Sequence, residues 1–382
     1  MNNTNGKWQM ANVKSSPSWG SWVGPFAVSH LPFACLTLCV HLCVLLSLSH
    51  ATPIIRNITI EGNTRTRTEI IQRELIFQSG QPLDTLKTAE TERNLRRLYF
   101  LGNVTLQIQQ DSSFADITIR VKDLYARALS PLLEGNKNEL SYGITALDFN
   151  FLGRGQITQL TAFHDAVTGN SARFYYHNPR LNGSHYAITS NTGIADEGHH
   201  LILSLTHPFY TLDTHWNYGF SIYTQEQIQR RYRGGILADK YNDRISGGNL
   251  WVIRSYGKTI KARPGLQLSL SDQKFTPEKG YIYSPKNRRR ILPAFTFTLW
   301  KPQYEKQVFV RQLGRTEDLQ MGSSIYTRLG ISSKMLGSDQ NHLFYTLQVS
   351  PRYKPTENTF LFAHFSLSGR YQNSTYTNLF SQ

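Results

Sequence analysis

Apolar residues alternate with polar ones at the start of residues 54–123 and then recur with a helical period. The alternation from Ile54 to Ile60 predicts a strand, and the glycine at Gly62 predicts the turn that ends it. Thr66 or Thr68 is a candidate cap for a first helix that runs to Leu75. These patterns predict a small α+β module.

The second half of this module follows the same logic. Gly80 is expected to end the first helix, and Asp84 opens a second helix that runs towards Leu98. Alternating residues 104–108 and 117–121 predict two further strands. The resulting β-α-α-β-β module carries no catalytic constellation, which favours a docking role.

The remainder of the chain is dominated by alternating segments of about ten residues, the length that a tilted strand needs to cross a bilayer. No helical period persists there. About twelve strands are predicted. The segments are residues 140–151, 156–167, 172–178, 185–195, 200–209, 215–225, 244–254, 259–270, 291–300, 319–331, 343–353 and 359–371.

Composition favours a membrane barrel over a soluble sandwich or lipocalin-like barrel, which also alternates. Only 40% of the residues are hydrophobic, as expected when alternate residues face a polar interior. Tyr and Phe number twenty each, and many lie near strand ends, where aromatic girdles meet the membrane–water interface. The sequence therefore predicts an antiparallel transmembrane β-barrel.

Residues 1–51 have the pattern of a secretory signal peptide. Two lysines precede the apolar run 31–49, and a small-residue site ends at Ala51. A transmembrane anchor is the alternative. All three cysteines, Cys35, Cys39 and Cys43, lie in this segment, so a chain cleaved after it could form neither a disulfide nor a thiolate metal site.

The net charge of +15 is concentrated in one region. Residues 54–123 hold ten basic and nine acidic side chains, whereas residues 227–290 hold fifteen and four. For an exported chain, anionic lipid or a polar barrel interior explains this excess better than nucleic acid. The basic run 286–290 is interpreted as a charged loop, with lipopolysaccharide phosphate as the alternative ligand.

Residues 54–123 resemble a POTRA domain, the module that precedes the barrel in the Omp85, or bacterial surface antigen, family. The resemblance rests on Gly62, Gly80, Leu95, Phe100 and Val104 in their order. It implies a signal peptide at 1–51, a POTRA domain at 52–124 and an outer-membrane barrel at 125–382. Three segments, 176–183, 206–216 and 313–319, resemble turns or strand starts of that barrel.

The chain departs from the family pattern in its second half. Family barrels have about sixteen strands and an Arg-Gly-aromatic motif on a late loop. That motif is absent here, since Arg233 precedes two glycines and Arg370 follows Gly369. A carboxy-terminally truncated barrel is therefore expected, with a true twelve-strand variant as the alternative.

By resemblance, the chain would assemble or translocate outer-membrane proteins, with its POTRA domain in the periplasm. Expected partners are unfolded outer-membrane or secreted polypeptides, outer-membrane lipid or lipopolysaccharide, and periplasmic chaperones or accessory lipoproteins, but no nucleic acid. Clients would add to an edge strand. That strand comprises Val104, Thr105, Leu106, Gln107, Ile108 and Gln109.

The resemblance also implies a gate at the first barrel strand, assigned to residues 140–151. Gly143, Gly153 and Gly155 would weaken pairing at this seam. No catalytic residue, metal site or cofactor is expected, because nucleophile-elbow, metal-binding and phosphate-loop motifs are lacking. Two other functions stay open: a two-partner-type secretion pore, and a surface-antigen barrel or inactive fragment without transport activity.

Overall fold

A computed structural model describes residues 52–136, 139–308, 310, 315–372 and 375–381, the last segment by its backbone alone. The signal peptide expected at residues 1–51 lies outside the described residues.

The amino-terminal domain has the β-α-α-β-β order expected from the sequence. Its elements are β1 (Ile54–Glu61), α1 (Thr68–Gln72), α2 (Thr85–Arg96), β2 (Leu101–Gln110) and β3 (Phe114–Asp123). Strand β3 lies in the centre of a three-stranded sheet, parallel to β1 and antiparallel to β2. Strands β1 and β2 are therefore the two edges of this sheet.

Alternate residues of the strands and one face of the helices form the core of the domain. Ile55, Ile71, Leu95, Ile117 and Ile119 are fully buried. Because each strand contributes every second residue, the hydrophobic spacing of the sequence coincides with the core.

Of the two expected helix caps, only the one at the start of α2 is found. Asp84 caps α2 by accepting hydrogen bonds from the Leu86 and Lys87 amides at 2.9 and 3.2 Å. Helix α1 is shorter than expected, and no side chain caps it. The expected cap at Thr66 or Thr68 is wrong, because the Thr66 hydroxyl donates to the Asp123 carboxylate instead.

Eighteen further strands are found in the described part of the chain. They are β4 (Arg127–Asn136), β5 (Glu139–Asp148), β6 (Ile157–Asp165), β7 (Gly169–Asn178), β8 (Ala187–Ala195), β9 (Gly198–His207), β10 (Trp216–Arg233), β11 (Ile236–Arg254), β12 (Lys261–Pro277), β13 (Arg288–Trp300), β14 (Tyr304–Val308), β15 (Thr316–Gln320), β16 (Ser324–Ser332), β17 (His342–Ser350), β18 (Arg352–Thr356), β19 (Thr359–Phe362), β20 (Phe365–Gln372) and β21 (Thr375–Ser381).

Fourteen of these strands form one antiparallel sheet, in which each strand pairs with its sequence neighbours except where a hairpin intervenes. The hairpins β14–β15 and β18–β19 form separate two-stranded sheets. Strands β4 and β21 are the two edges, and within the described residues each pairs on one side only.

The expectation of about twelve strands is too low by two. Each expected segment overlaps a strand of the large sheet, but the edge strands β4 and β21 were not anticipated. Strand β4 contains Pro131 and Gly135, which are unfavourable residues in a strand and obscure its alternation. A proline is tolerated there because β4 is an edge.

The large sheet has one apolar and one polar face. On neighbouring strands Leu250, Leu266, Phe295, Leu329 and Leu343 are all exposed and lie on the same face, here called the outer face. The alternate residues lie on the opposite, inner face and include Asn249, Ser269 and Arg328. An exposed apolar face backed by a polar one is the arrangement of a membrane-spanning sheet.

No helix in the described part of the chain has the length and apolar character needed to cross a membrane.

Candidate functional site: edge strands and the domain junction

Strand β2 presents a free hydrogen-bonding edge. Within the described residues it pairs with β3 alone. The Asp111 amide donates to the Phe114 carbonyl at 2.9 Å, and the register runs without a break from there back to Thr105. Because backbone groups alternate in direction along an antiparallel strand, those of Leu106 and Ile108 point away from β3.

The other edge of the small sheet is partly occupied. The Ile55 amide of β1 donates to the Gln81 carbonyl at 2.9 Å, and the Gly80 amide donates to the Ile55 carbonyl at 2.8 Å. The segment before α2 thus covers the start of β1. Strand β2 is the more accessible edge for an added strand.

The six residues expected to bind clients have different environments. Val104 is 3% exposed and belongs to the core, and Leu106 packs against that core. The side chains of Thr105, Gln107, Ile108 and Gln109 are exposed. Asn103 just before them has a positive φ of 47°, where the register shifts. This bulge separates the buried start of β2 from its free end.

The expected seam of the large sheet is wrong. It was placed at Gly143, Gly153 and Gly155 because residues 140–151 were assigned as the first strand. In the structure β4 precedes that strand, and Gly143 of β5 pairs with Leu132 on one side and Phe163 on the other. The free edge on this side of the sheet is therefore β4.

Gly153 and Gly155 instead form the contact between the turn after β5 and the amino-terminal domain. The Arg67 amide donates to the Gly153 carbonyl at 3.1 Å. A methyl group on Gly155 would lie 3.1 Å from Ile70 and 3.2 Å from Phe100. Glycine permits this close approach and also the positive φ of 64°.

The next turn of the sheet is joined to the domain by a buried ion pair. Arg180 donates to the Glu74 carboxylate at 2.7 Å, and the two side chains are 8% and 7% exposed. Arg73 approaches the other oxygen of Glu74 at 3.3 Å. Burial lowers the pKa of Arg73, although Glu74 opposes this effect. The Glu74 carboxylate lies between the two arginines, and its negative charge compensates for the burial of their positive charges.

The turn between β9 and β10 contacts helix α2. The Leu212 amide donates to the Glu90 carboxylate at 2.6 Å, and Asn94 donates to the Tyr210 carbonyl at 3.4 Å. Burial raises the pKa of Glu90, with the Leu212 hydrogen bond acting in the opposite direction.

The hairpin β14–β15 makes the fourth contact. Arg96 of α2 donates through two nitrogens to the Asp318 carboxylate at 2.7 and 2.8 Å, and Lys306 contacts Glu92 at 2.8 Å. Residues 313–319 were expected to begin a strand of the large sheet. That expectation is wrong, because β15 pairs with β14 and the sheet resumes at Ser324.

Sequence reasoning did not identify the junction residues. Glu74, Arg180 and Asp318 are isolated charges in the sequence, and each meets its partner only after folding. Glu74 and Arg180, for example, are 106 residues apart. The one available signal was the turn pattern Asn178-Pro179-Arg180, which was assigned correctly as a turn.

Within the described residues, no group of three or more His, Cys, Asp or Glu side chains could hold a metal ion. The histidines that might attract attention have ordinary polar neighbours, such as Asn170 beside His164 and Asn191 beside His200.

Comparison with known families identifies the amino-terminal domain. Residues 53–123 match the family model for POTRA, described as a surface antigen variable number repeat. The match confirms the resemblance seen in the sequence.

A curated relative is similar over part of this chain. The outer membrane protein assembly factor BamA of Nitratidesulfovibrio vulgaris is 24% identical over 147 residues, which are 37% of this chain and 18% of the relative. The chain thus matches less than a fifth of that protein's length.

Solved structures show a distant similarity. BamA from Haemophilus ducreyi lacking POTRA domains 1–3 has a TM-score of 0.38 and 16% identity, covering 84% of this chain and 56% of that one. CdiB from Escherichia coli has a TM-score of 0.37 and 11% identity, covering 85% and 66%. TM-scores this low carry no functional information.

Proposed function

We propose that this chain, an outer-membrane protein of the Omp85 family whose POTRA domain lies in the periplasm, assembles or translocates other polypeptides of the outer membrane. The POTRA domain would bind an extended client by strand addition, and the free edge of the large sheet would receive it. The free edge of β2 is the observation that carries the proposal.

Strand addition suits clients of many sequences. The outward backbone groups of Leu106 and Ile108 offer donors and acceptors that any extended peptide can match, so recognition would depend on backbone conformation more than on side chains. The domain is nearly neutral, which also favours a broad range of clients.

A first experiment separates backbone from side-chain recognition at β2. Ile108→Pro removes an outward N–H without disturbing the ladder to β3, whereas Ile108→Ala keeps the N–H and removes the side chain. We expect Ile108→Pro to weaken cross-linking to an unfolded outer-membrane protein by roughly fivefold, because the loss of one hydrogen bond costs about 1 kcal/mol. Ile108→Ala should retain most of the binding. Equal binding by the wild type and both variants would exclude β2 as the client site.

The second step would occur at β4. Leu129 and Leu133 of this edge strand are 70% and 74% exposed, and β4 is hydrogen-bonded to β5 alone among the described residues. An unpaired edge in a membrane has a strong tendency to acquire a partner strand. A client strand pairing there would extend the sheet.

This step is tested with a photo-reactive amino acid at Leu133 in proteoliposomes that contain the full chain. We expect cross-links to an inserting outer-membrane protein. The matched control is Leu347, which is exposed on the outer face of β17 but lies in a strand paired on both sides. Equal cross-linking at the two positions would mean that the client meets the sheet through its apolar face and not through its edge.

The overall activity is tested by diluting an unfolded outer-membrane β-barrel into the same proteoliposomes and following its conversion to a protease-resistant form. The wild-type chain should accelerate conversion above empty liposomes. Transport of a secreted polypeptide without any effect on barrel folding would instead favour the secretion-pore alternative.

A further inference from the structure

A basic cavity lies on the inner face of the large sheet, at the end remote from the POTRA domain. Strand β13 runs from Arg288 to Trp300, and Trp300 contacts Tyr304 of the hairpin that binds α2. Thirteen residues of strand span about 40 Å, so the Arg288 end is far from the domain junction.

The cavity has a volume of about 550 Å³. This volume is in the range of pockets that hold small organic ligands. Its lining combines basic side chains with neutral hydrogen-bonding groups and one carboxylate, Asp339. These include Ser271, Gln273, Arg288, Arg290, His342 and Arg370. A smaller cavity of about 220 Å³ adjoins Arg370 and is lined by Arg328.

The Arg290 guanidinium in this cavity makes no ion pair with a carboxylate among the described residues. Arg288 and Arg370 lie close enough to repel the Arg290 guanidinium. That group lies over the Phe344 ring at 5.1 Å. Partly buried like charges are costly unless an anion offsets them.

The nearest carboxylates have other partners. Asp339 accepts the backbone amide of Arg289 at 2.5 Å, and Asp243 accepts the Gln273 side-chain amide at 2.8 Å. One buried donor on the same face, Arg328 Nε, has no hydrogen-bond partner among the described residues. The cavity is lined by five basic side chains and one carboxylate, so its wall carries an excess of positive charge; the basic residues are Lys286, Arg288, Arg289, Arg290 and Arg370, and the carboxylate is Asp339.

We propose that this cavity binds a phosphate-bearing sugar, with Arg290 as the main phosphate ligand. Guanidinium groups bind phosphate oxygens through paired hydrogen bonds, and Ser271 and Gln273 can bind sugar hydroxyls. The same chemistry occurs in a free sugar phosphate and in the phosphorylated sugar of an outer-membrane lipid headgroup.

The proposal is tested by titrating glucose 6-phosphate into the detergent-solubilised full chain at constant ionic strength, with sodium chloride as the reference. We expect saturable binding that Arg290→Gln weakens by at least about tenfold, the loss of one charge-assisted contact. Arg290→Lys, which keeps the charge, should bind with intermediate affinity. Arg244→Gln is the matched control, because Arg244 lies at a similar level on the outer face, paired with Glu226.

Two further arms complete the test. A heat-dependent shift of each variant in gel electrophoresis shows whether it folds. If Arg290→Gln does not fold, Arg370→Gln is used in its place. Vesicles with a phosphorylated lipopolysaccharide are compared with phosphatidylcholine vesicles, and Arg290-dependent binding to the former alone assigns the lipid headgroup as the source. The proposal would be overturned if neither ligand bound saturably above the sodium chloride reference, or if Arg290→Gln bound with the same affinity as the wild type.

Discussion

Single charged residues hold the POTRA domain against the turns of the large sheet. Glu74 lies between Arg73 and Arg180, and Asp318 accepts two hydrogen bonds from Arg96. Because these groups are nearly inaccessible to water, each depends on its partner for stability. The exposed pairs of the domain, such as Arg120 with Glu61, have water as an alternative partner and contribute little.

Arg180→Ala tests this difference. The change leaves Glu74 buried with Arg73 alone, and we expect a loss of about 3 kcal/mol in the opening free energy of the junction. Arg120→Ala is the control and should cost less than about 1 kcal/mol, since the Arg120 side chain is 53% exposed. Amide hydrogen exchange of the backbone around Glu74 measures both values. Similar losses in the two variants would contradict the assigned role of the buried pair.

Asp123 stabilises the loop that leads into α1. Its carboxylate accepts the Arg65 and Thr66 amides at 2.6 and 3.0 Å. Burial opposes ionisation, but these hydrogen bonds and that of the Thr66 hydroxyl outweigh it and lower the pKa of Asp123. A lowered pKa adds stability above the unfolded value of about 3.9, and this stability is lost as the pH falls through the folded value.

Asp123→Asn should therefore destabilise the domain by about 2 kcal/mol at neutral pH, because charge-assisted hydrogen bonds are lost. The difference from wild type should shrink as the pH falls below the unfolded pKa of about 3.9, where the wild-type carboxylate also becomes protonated. The free energy of unfolding of the domain in urea, monitored by protease sensitivity at pH values above and below about 3.9, measures this difference. A difference that does not change with pH would show that the charge of Asp123 is unimportant.

Turns are the elements that join the domain to the sheet. The turns after β5, β7 and β9 and the hairpin β14–β15 all contact the POTRA domain. At some positions the backbone of the turn lies close against the domain, and at others it is separated from it by open space. Gly155 lies against Ile70 and Phe100, whereas a methyl group on Gly183 would meet no atom within 4 Å.

This contrast gives a matched pair of substitutions. Gly155→Ala and Gly183→Ala both place alanine at a positive φ, at a cost of about 1–2 kcal/mol each. Only Gly155→Ala also presses a methyl group against the domain, where Ile70 and Phe100 must shift to accept it, so we expect it alone to expose the junction to limited proteolysis. Equal protease sensitivity of the two variants would mean that backbone strain, and not packing, determines the effect.

At the scale of the whole molecule, the proposed client-binding edge of β2 and the surface that docks the POTRA domain are separate. The exposed end of β2 makes no described contact with the large sheet, whereas α1, α2 and the loop before them form the junction. A client could therefore add to β2 while the domain stays docked.

Cross-linking the junction tests this separation. The cysteines of the chain are Cys35, Cys39 and Cys43, so once these are replaced by serine, Glu92→Cys with Lys306→Cys introduces a unique pair at a partly exposed contact. A short bis-maleimide should join α2 to the hairpin without weakening client cross-linking at β2. Each single-cysteine variant is the control for modification alone. Loss of client binding only after cross-linking would show that the domain must leave the sheet before it binds.

The local patterns predicted the larger elements and their faces. Alternation in residues 259–270 predicted a strand that the structure contains, and Asp84 predicted the start of α2. Such features depend on neighbours in sequence, so they can be read before the fold is known. Polar or proline-containing edge strands gave no comparable signal, as β4 shows.

The sequence by itself determined the POTRA module, the amphipathic strands and the excess of positive charge in the second half, because each arises from composition or from a local period. Only the tertiary structure decided which strands are edges, that Glu74 meets Arg180, and that Arg290 and Arg370 line one cavity. These relations join residues that are distant in the chain. They are fixed by strand order and sheet register, which no local pattern specifies.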